Sequence, residues 1–387
     1  MLVADDLPKP LPSEGDRGRV PWVRPIFEVD DRLLFDIELA LSAGQVTNNG
    51  PAVREFEGRL ARYLGVEDCA AVSSGSTALL LATQALGLAG AKAVLPSFTF
   101  IATLNALVHA GVTPVFCDIE PDTWTMSPAH LCKLLAADQA IRLVVPVNVF
   151  GVPPDLQAIC RLLDGKDAVL MLDNAHGLGT ERDGVRCAPE PLVQTYSLHA
   201  TKTLPAVEGG AVVTSDPRLL AEIRRLRNHG LAADPMASTP GYNAKMSELH
   251  ATVALRSLQS LDAALLRRRQ YAMRLRRVLT EDCADTFSVQ RVPDSVESNF
   301  QNLAVLCRDP RRPVTRIQAA LDGEGIETRR YFWPPLHQLP AFCGRWVLPV
   351  TDEVGRAVLC LPLHSRMDPP VLERIEAALR RSARRPD

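Results

Sequence analysis

Ala168-Val169-Leu170-Met171-Leu172-Asp173 sets five apolar residues before a single carboxylate, and Asn174-Ala175-His176 follow directly. A strand polar on neither face belongs in a mostly parallel sheet covered on both sides. Outward from it, residues 114–117 and 143–149 read the same way, and 69–72 and 92–95 read as shorter apolar strands. Helical spacing occupies 77–86, ended by Gly87, and 100–110, closed by Gly111. The alternation predicts an α/β fold whose ligands sit at the carboxyl ends of the strands, where Asp173 stands.

Towards the N-terminus, residues 30–64 predict two helices around the breakers of Thr47-Asn48-Asn49-Gly50-Pro51. Residues 244–279 lack proline and glycine and carry helical spacing, which predicts one or two long helices leading to a second domain. Beyond them a strand over 299–306, a helix over 314–321, a strand over 326–332 and a closing helix over 370–379 predict a smaller α+β domain. The expected organisation is an extended or disordered tail over 1–20, a large domain over 21–250 and a small one over 251–387.

The chain has 387 residues, 47% of them hydrophobic and 23% charged, a balance that excludes disorder of the whole and supplies material for two cores. A net charge of -2 carries no global footprint of a nucleic-acid or anionic-membrane binder. Residues 1–18 have neither a basic start nor an apolar core, so no secretory signal is expected, and no apolar run is long enough to span a bilayer. The nine cysteines are scattered and never form C-x-x-C, which argues against a zinc site or a disulfide framework and fits a reducing cytoplasm.

Five features are candidates for chemistry. Lys202 lies in Ser197-Leu198-His199-Ala200-Thr201-Lys202-Thr203, after one apolar strand and before Glu208-Gly209-Gly210 and another. An amine so placed can be desolvated and made nucleophilic; a water-facing loop lysine is the plainer reading of that stretch alone. Asp173 suits either a carboxylate facing a bound ring or, with Asn174, a helix N-cap. His176 suits either a ring laid over a ligand or an ordinary loop histidine, and no third ligand turns the pair into a metal site. Ser73-Ser74-Gly75-Ser76-Thr77 joins a strand to a helix start, so free N–H groups and small hydroxyls converge as an anion site or simply as a cap. Phe100 suits stacking on a ring or packing in the core. No Walker loop and no strand-linked G-x-G-x-x-G is present, which disfavours NTPases and dinucleotide enzymes.

In order and wording, these blocks resemble the DegT/DnrJ/EryC1/StrS family of pyridoxal-phosphate (PLP) sugar aminotransferases. The likeness runs nearly the whole chain, through Thr47-Asn48-Asn49-Gly50-Pro51, Ser74-Gly75-Ser76-Thr77-Ala78-Leu79, Pro96-Ser97-Phe98-Thr99-Phe100, Asp173-Asn174-Ala175-His176 and Ser197 to Lys202. It implies a fold-type I aminotransferase, a homodimer with active sites at the subunit interface. By the resemblance, Lys202 is the imine lysine and proton shuttle, Asp173 pairs with the pyridine nitrogen and His176 covers one ring face. Gly75, Ser76, Thr77 and Ser197 would hold the phosphate, and Asn243 would reach the phosphate of the partner subunit's cofactor. Many members have Gln at the position of His176, and Asn148-Val149 replaces the usual Tyr or His before the Phe-Gly pair. Retention of Lys202 disfavours the dehydratase branch, which has histidine there.

Arg329-Arg330-Tyr331-Phe332-Trp333-Pro334-Pro335-Leu336-His337 and Val358-Leu359-Cys360-Leu361-Pro362-Leu363 resemble the subgroup that aminates C4 of dTDP-4-keto-6-deoxyhexoses. Arg329 or Arg330 would then pair with the diphosphate and Tyr331 or His337 touch the sugar; a solvated basic pair beside packed aromatics suits the same residues. The expectation is amino transfer from glutamate to a nucleotide-linked keto sugar. Its rivals are amination at C3, a non-catalytic regulator on the same fold, and a metal- or thiol-based enzyme.

Overall fold

The central sheet has seven strands, buried along nearly their whole length. In the structure, a computed structural model that describes residues 18–232, 234, 236, 238–344 and 346–383, two helices come first: α1 (Asp31–Ser42) and α2 (Pro51–Leu64). The sheet and its helices follow as β1 (Ala70–Val72), α3 (Gly75–Ala85), β2 (Lys92–Pro96), α4 (Ile101–His109), β3 (Thr113–Cys117), α5 (Pro128–Ala137), β4 (Ile141–Val144), α6 (Leu156–Leu163), β5 (Val169–Asp173), β6 (Glu181–Arg182), β7 (Val193–Ser197), β8 (Gly210–Thr214) and α7 (Pro217–Leu226). Strand order is β1-β8-β7-β5-β4-β2-β3, with β6 outside the sheet. Only β8 runs against the rest: its pairings with β1 and β7 are antiparallel and every other pairing is parallel.

Both faces are covered, which is why the strands are apolar throughout. Val72, Leu95, Met171 and Val212 point into one core with Leu79, Leu104 and Ile223 of α3, α4 and α7. Their neighbours point the other way. Ala71 and Val213 meet Phe56 and Leu60 of α2 and Ala251 and Ala254, while Val94, Val144, Leu170 and Leu172 meet Leu131 and Ile159 of α5 and α6.

The proline-free stretch forms two helices, α8 (Glu248–Gln259) and α9 (Leu261–Glu281), parted at Ser260. There follow β9 (Phe287–Val289), β10 (Val296–Glu297), β11 (Leu303–Cys307), α10 (Val314–Gly323), α11 (Pro349–Ala357), β12 (Val358–Leu361) and α12 (Pro369–Ala383). β12, β11 and β9 form a second, antiparallel sheet, and its core with α9, α10 and α12 includes Leu275, Val305, Ile317, Leu359 and Ile375.

Three expected strands are corrected. Residues 326–332 form no strand, only single bridges from Ile326 to Val20 and from Arg329 to Cys360. Their main chain is divided between two neighbours, Glu327 bonding Val20 and Arg329 bonding Cys360, so no ladder continues along it. The strand expected over 299–306 begins at Leu303, because Ser298, Asn299 and Gln301 turn buried polar side chains towards other loops. The run over 143–149 is a strand only to Val144, ahead of Pro146. The tail expected over 1–20 lies mostly outside the described residues.

Candidate active site

The carboxyl ends of β5 and β7 and the loop after β1 open into one cavity of about 340 Å3. Gly75, Ser76, Phe100, Asp173, His176, Ser197, Lys202 and Tyr331 all line it. A larger groove of about 690 Å3 elsewhere, bordered by Glu120, Asp122, Arg182 and Arg291, has no buried titratable side chain, and its two arginines pair with Asp122 and Glu190. The chemistry therefore points to the smaller space.

Asp173, the last residue of β5, is 4% exposed. Thr103 Oγ1 of α4 donates to its Oδ2 at 2.7 Å and the Ala175 N–H to its Oδ1 at 3.1 Å. Burial pushes the carboxyl pKa up, against the pull of the Thr103 hydrogen bond. Lys202 stands in the loop between the antiparallel neighbours β7 and β8. No hydrogen bond or ion pair among the described residues engages its amine. Desolvation lowers the amine to about 8 from 10.5, while the Asp173 carboxylate works in the opposite sense.

His176 Nδ1 accepts the Phe150 N–H at 3.3 Å, so the neutral ring carries its proton on Nε2. The ring lies nearly parallel to Phe150 and Phe332, with interplanar angles of 22° and 14°. Burial, reinforced by Lys202, holds its pKa well below the ordinary 6.5, so it stays neutral at physiological pH. A flat, uncharged face of this kind suits an aromatic ring.

The anion cradle is the start of α3. Gly75 and Ser76 are its first residues, whose N–H groups have no intrahelical acceptor. A Cβ on Gly75 would stand 2.7 Å from Ser197 Cβ, so only glycine lets the two loops close on the same spot. Thr77 is engaged otherwise: its hydroxyl donates to the Ser74 carbonyl at 2.8 Å and accepts the Ser74 N–H at 3.0 Å, completing a capping box.

A family model described as the DegT/DnrJ/EryC1/StrS aminotransferase family matches residues 29–380. The chain belongs to that family. The dTDP-4-amino-4,6-dideoxy-D-glucose transaminase of Shigella dysenteriae is 32% identical to it over 352 residues, which cover 89% of this chain and 94% of that protein. The solved structure of DesI in the presence of its TDP-sugar product matches with a TM-score of 0.88 at 34% identity, over 95% of this chain and 93% of that one. A family aminotransferase from Brucella abortus gives 0.84 at 26% identity, over 91% and 95%. This DegT-family protein is thus a PLP-dependent aminotransferase of fold-type I.

The remaining sugar-aminotransferase positions divide. Phe100 is 51% exposed and edges onto Tyr331, with centroids 6.4 Å apart, so it belongs to the cavity mouth and not to the core. Arg329 and Asn243 are exposed and line no part of the cavity in this chain. The structure does not bring Arg330 or His337 to it. Arg330 donates to the carbonyls of Gly355 and Arg356 and lies over the Trp333 ring. His337 is buried, with Ser97 Oγ 2.7 Å from Nδ1 and Asp352 3.1 Å from Nε2. Both side chains are occupied within the fold, so neither is carried forward as a sugar contact.

Sequence reasoning missed Thr103, Trp22, Gln301 and Asn302, which support or line the same cavity. Thr103, one helical turn beyond Thr99, had a local signal in its spacing. The other three reach the site from distant segments.

Proposed function

We propose that this protein transfers an amino group from glutamate to C4 of a dTDP-4-keto-6-deoxyhexose. The observation that carries the reading is the meeting, in one cavity, of an unpaired amine, a buried carboxylate and a neutral flat histidine beside a helix-start anion cradle. Those groups fit PLP, which when bound supplies an electron sink for the carbanion formed during amino transfer. Gly75, Ser76 and Ser197 would hold its phosphate, His176 would cover its ring, and Asp173 would keep its ring nitrogen protonated.

Lys202 does the proton work. With its pKa near 8, a useful fraction of the amine is neutral at physiological pH, so it can act as nucleophile and then as base and acid. C4 is favoured because the Shigella dysenteriae relative is a transaminase of a 4-amino-4,6-dideoxy sugar and DesI was solved with its TDP-sugar product. Amination at C3 would use the same cofactor residues, and NMR of the product formed from each keto sugar separates the two.

The working unit is proposed to be a cytoplasmic homodimer. α1 presents Leu34, Phe35, Leu39 and Leu41 to solvent, an apolar run that suits a second copy, and Asn243 faces outward as a residue serving the partner's cofactor would. Lys202→Ala is the direct test: it should abolish the visible absorbance of the lysine-linked cofactor and turnover with glutamate. Retention of both would reject the reading. A wild-type protein that binds PLP yet never forms 2-oxoglutarate from glutamate would instead be a regulator on an enzyme fold.

A further inference from the structure

Gln301 grips the main chain on both sides of Lys202. Its Nε2 donates to the Thr201 carbonyl at 2.9 Å, and its Oε1 accepts the Thr203 N–H at 3.2 Å. One primary amide thus meets the residue before the lysine and the residue after it, as a neighbouring strand would. The same loop is held from within by the Lys202 N–H to the His199 carbonyl at 2.8 Å, and by the Thr203 hydroxyl to Leu178 at 2.8 Å.

Gln301 is itself fixed by a costly device. Its N–H donates to Asn299 Oδ1 at 2.8 Å, and its carbonyl accepts from Arg268 Nη2 at 2.9 Å. Arg268 also donates to the carbonyls of Phe300 at 2.7 Å, Leu363 at 3.2 Å and Asn299 at 3.4 Å. Four of its five N–H donors therefore end on main-chain carbonyls, and no carboxylate pairs with it among the described residues. A buried guanidinium without a counter-ion is expensive, and burial alone lowers its pKa to about 10. What that expense secures is the position of residues 299–301, and through Gln301 the position of the lysine loop.

We propose that Gln301, anchored by Arg268, is a positioning residue for Lys202: its amide fixes the peptide on either side and so aims the four-carbon stem that delivers the amine. The inference rests on the amino-transfer role given to Lys202 above. A lysine stem has enough rotational freedom to leave the reacting position, and misplacement by about 1 Å is worth about 100-fold in rate.

The test compares wild type with Gln301→Met, which keeps the length and removes both hydrogen bonds. In cofactor-free protein, labelling of Lys202 by trinitrobenzenesulfonate is followed against pH and located by peptide mass. Asp173, His176, His199, Glu208 and Tyr331 line the lysine's cavity. Arg24, Glu28, Arg267, Arg268 and His364 line the small space behind the loop. All ten are unchanged by the substitution, so a moved midpoint reports the loop. The expected result is a midpoint displaced upward towards 10.5 from about 8, as the freed amine gains water. In the loaded enzyme kcat should fall about 100-fold with KM little changed.

A folded Gln301→Met with an unmoved labelling midpoint overturns the proposal, whether or not kcat falls. If that variant fails to fold, Gln301→Asn keeps the buried amide but shortens it by one methylene, so it cannot span both peptides; the same displacement is expected, and wild-type behaviour counts against the proposal. The labelling arm needs neither cofactor nor sugar. An error in the substrate assignment leaves it standing, whereas failure of the Lys202→Ala test removes the amino-transfer reading instead.

Discussion

At the scale of single residues, the site is built from groups that would be happier in water. Lys202 and Asp173 each lose hydration, and each is shifted towards its neutral form. This has a measurable consequence for the cofactor-free protein. Because the folded pKa of Lys202 is depressed, the unfolded chain holds its proton over a range where the folded one does not. The destabilisation is complete below pH 8, fades as pH rises from about 8 to 10.5, and amounts to at most about 3 kcal/mol. Lys202→Met should therefore stabilise the apoprotein at pH 7 while eliminating turnover. Urea unfolding at pH 7 and again near pH 10.5 checks the sign, since the gain should shrink at the higher pH.

The same scale explains which site residues could be read without coordinates. Asp173, His176 and Lys202 each sit at or just beyond a strand end, where the local pattern leaves a cap or loop reading open, and the family resemblance singles them out. Gln301 has no such announcement. Its partners Thr201 and Thr203 lie about a hundred residues earlier, and its neighbours give no periodic pattern. Arg330 and His337 failed for a related reason: a basic or imidazole side chain in a motif does not reveal whether a carbonyl or a carboxylate of the same chain has already claimed it.

Among elements, the helices were legible and the polar-lined turns were not. The paired breakers Gly50-Pro51 announce the start of α2, but Gly50 has no side chain with which to cap it. The cap comes from elsewhere: Glu248, 2% exposed at the start of α8, accepts the Ala52 N–H at 2.7 Å and the Val53 N–H at 3.3 Å. A Cβ on Gly50 would stand 2.5 Å from the Glu248 carboxyl carbon, so the bare glycine leaves space for the carboxylate. Glu248→Ala should cost about 1 to 2 kcal/mol, as loss of a strong N-cap does. Denaturant unfolding gives that figure, and no change in midpoint would show that water replaces the carboxylate without loss. The expected strand over 326–332 belongs to this scale too, since a run of residues makes no ladder when its two parts bridge to different neighbours.

For the molecule as a whole, the alternation of strands and helices fixes a sheet with β1 and β3 at its edges and one reversed strand, β8. The exposed apolar residues of α1 are the proposed seat of a second copy on the outside of this framework. Replacing Phe35 and Leu39 together by glutamate should shift sedimentation from dimer to monomer and weaken retention of PLP, because Asn243 would no longer reach a neighbouring site. A variant that sediments as wild type would place the contact on another face.

Within the sheet β1 pairs with β8, Val72 standing opposite Gly210 across the ladder, and a single bridge ties Val72 to Lys245. The peptide that begins the candidate anion-binding turn is thus made early but anchored late, against a strand that is translated only after five other strands of the sheet and Lys202 have been made. An amino-terminal fragment ending short of Gly210 lacks the strand against which that turn is anchored. Under the proposed assignment, a coenzyme arriving during synthesis on the ribosome would meet a complete berth only once the hairpin carrying Lys202 has already turned back.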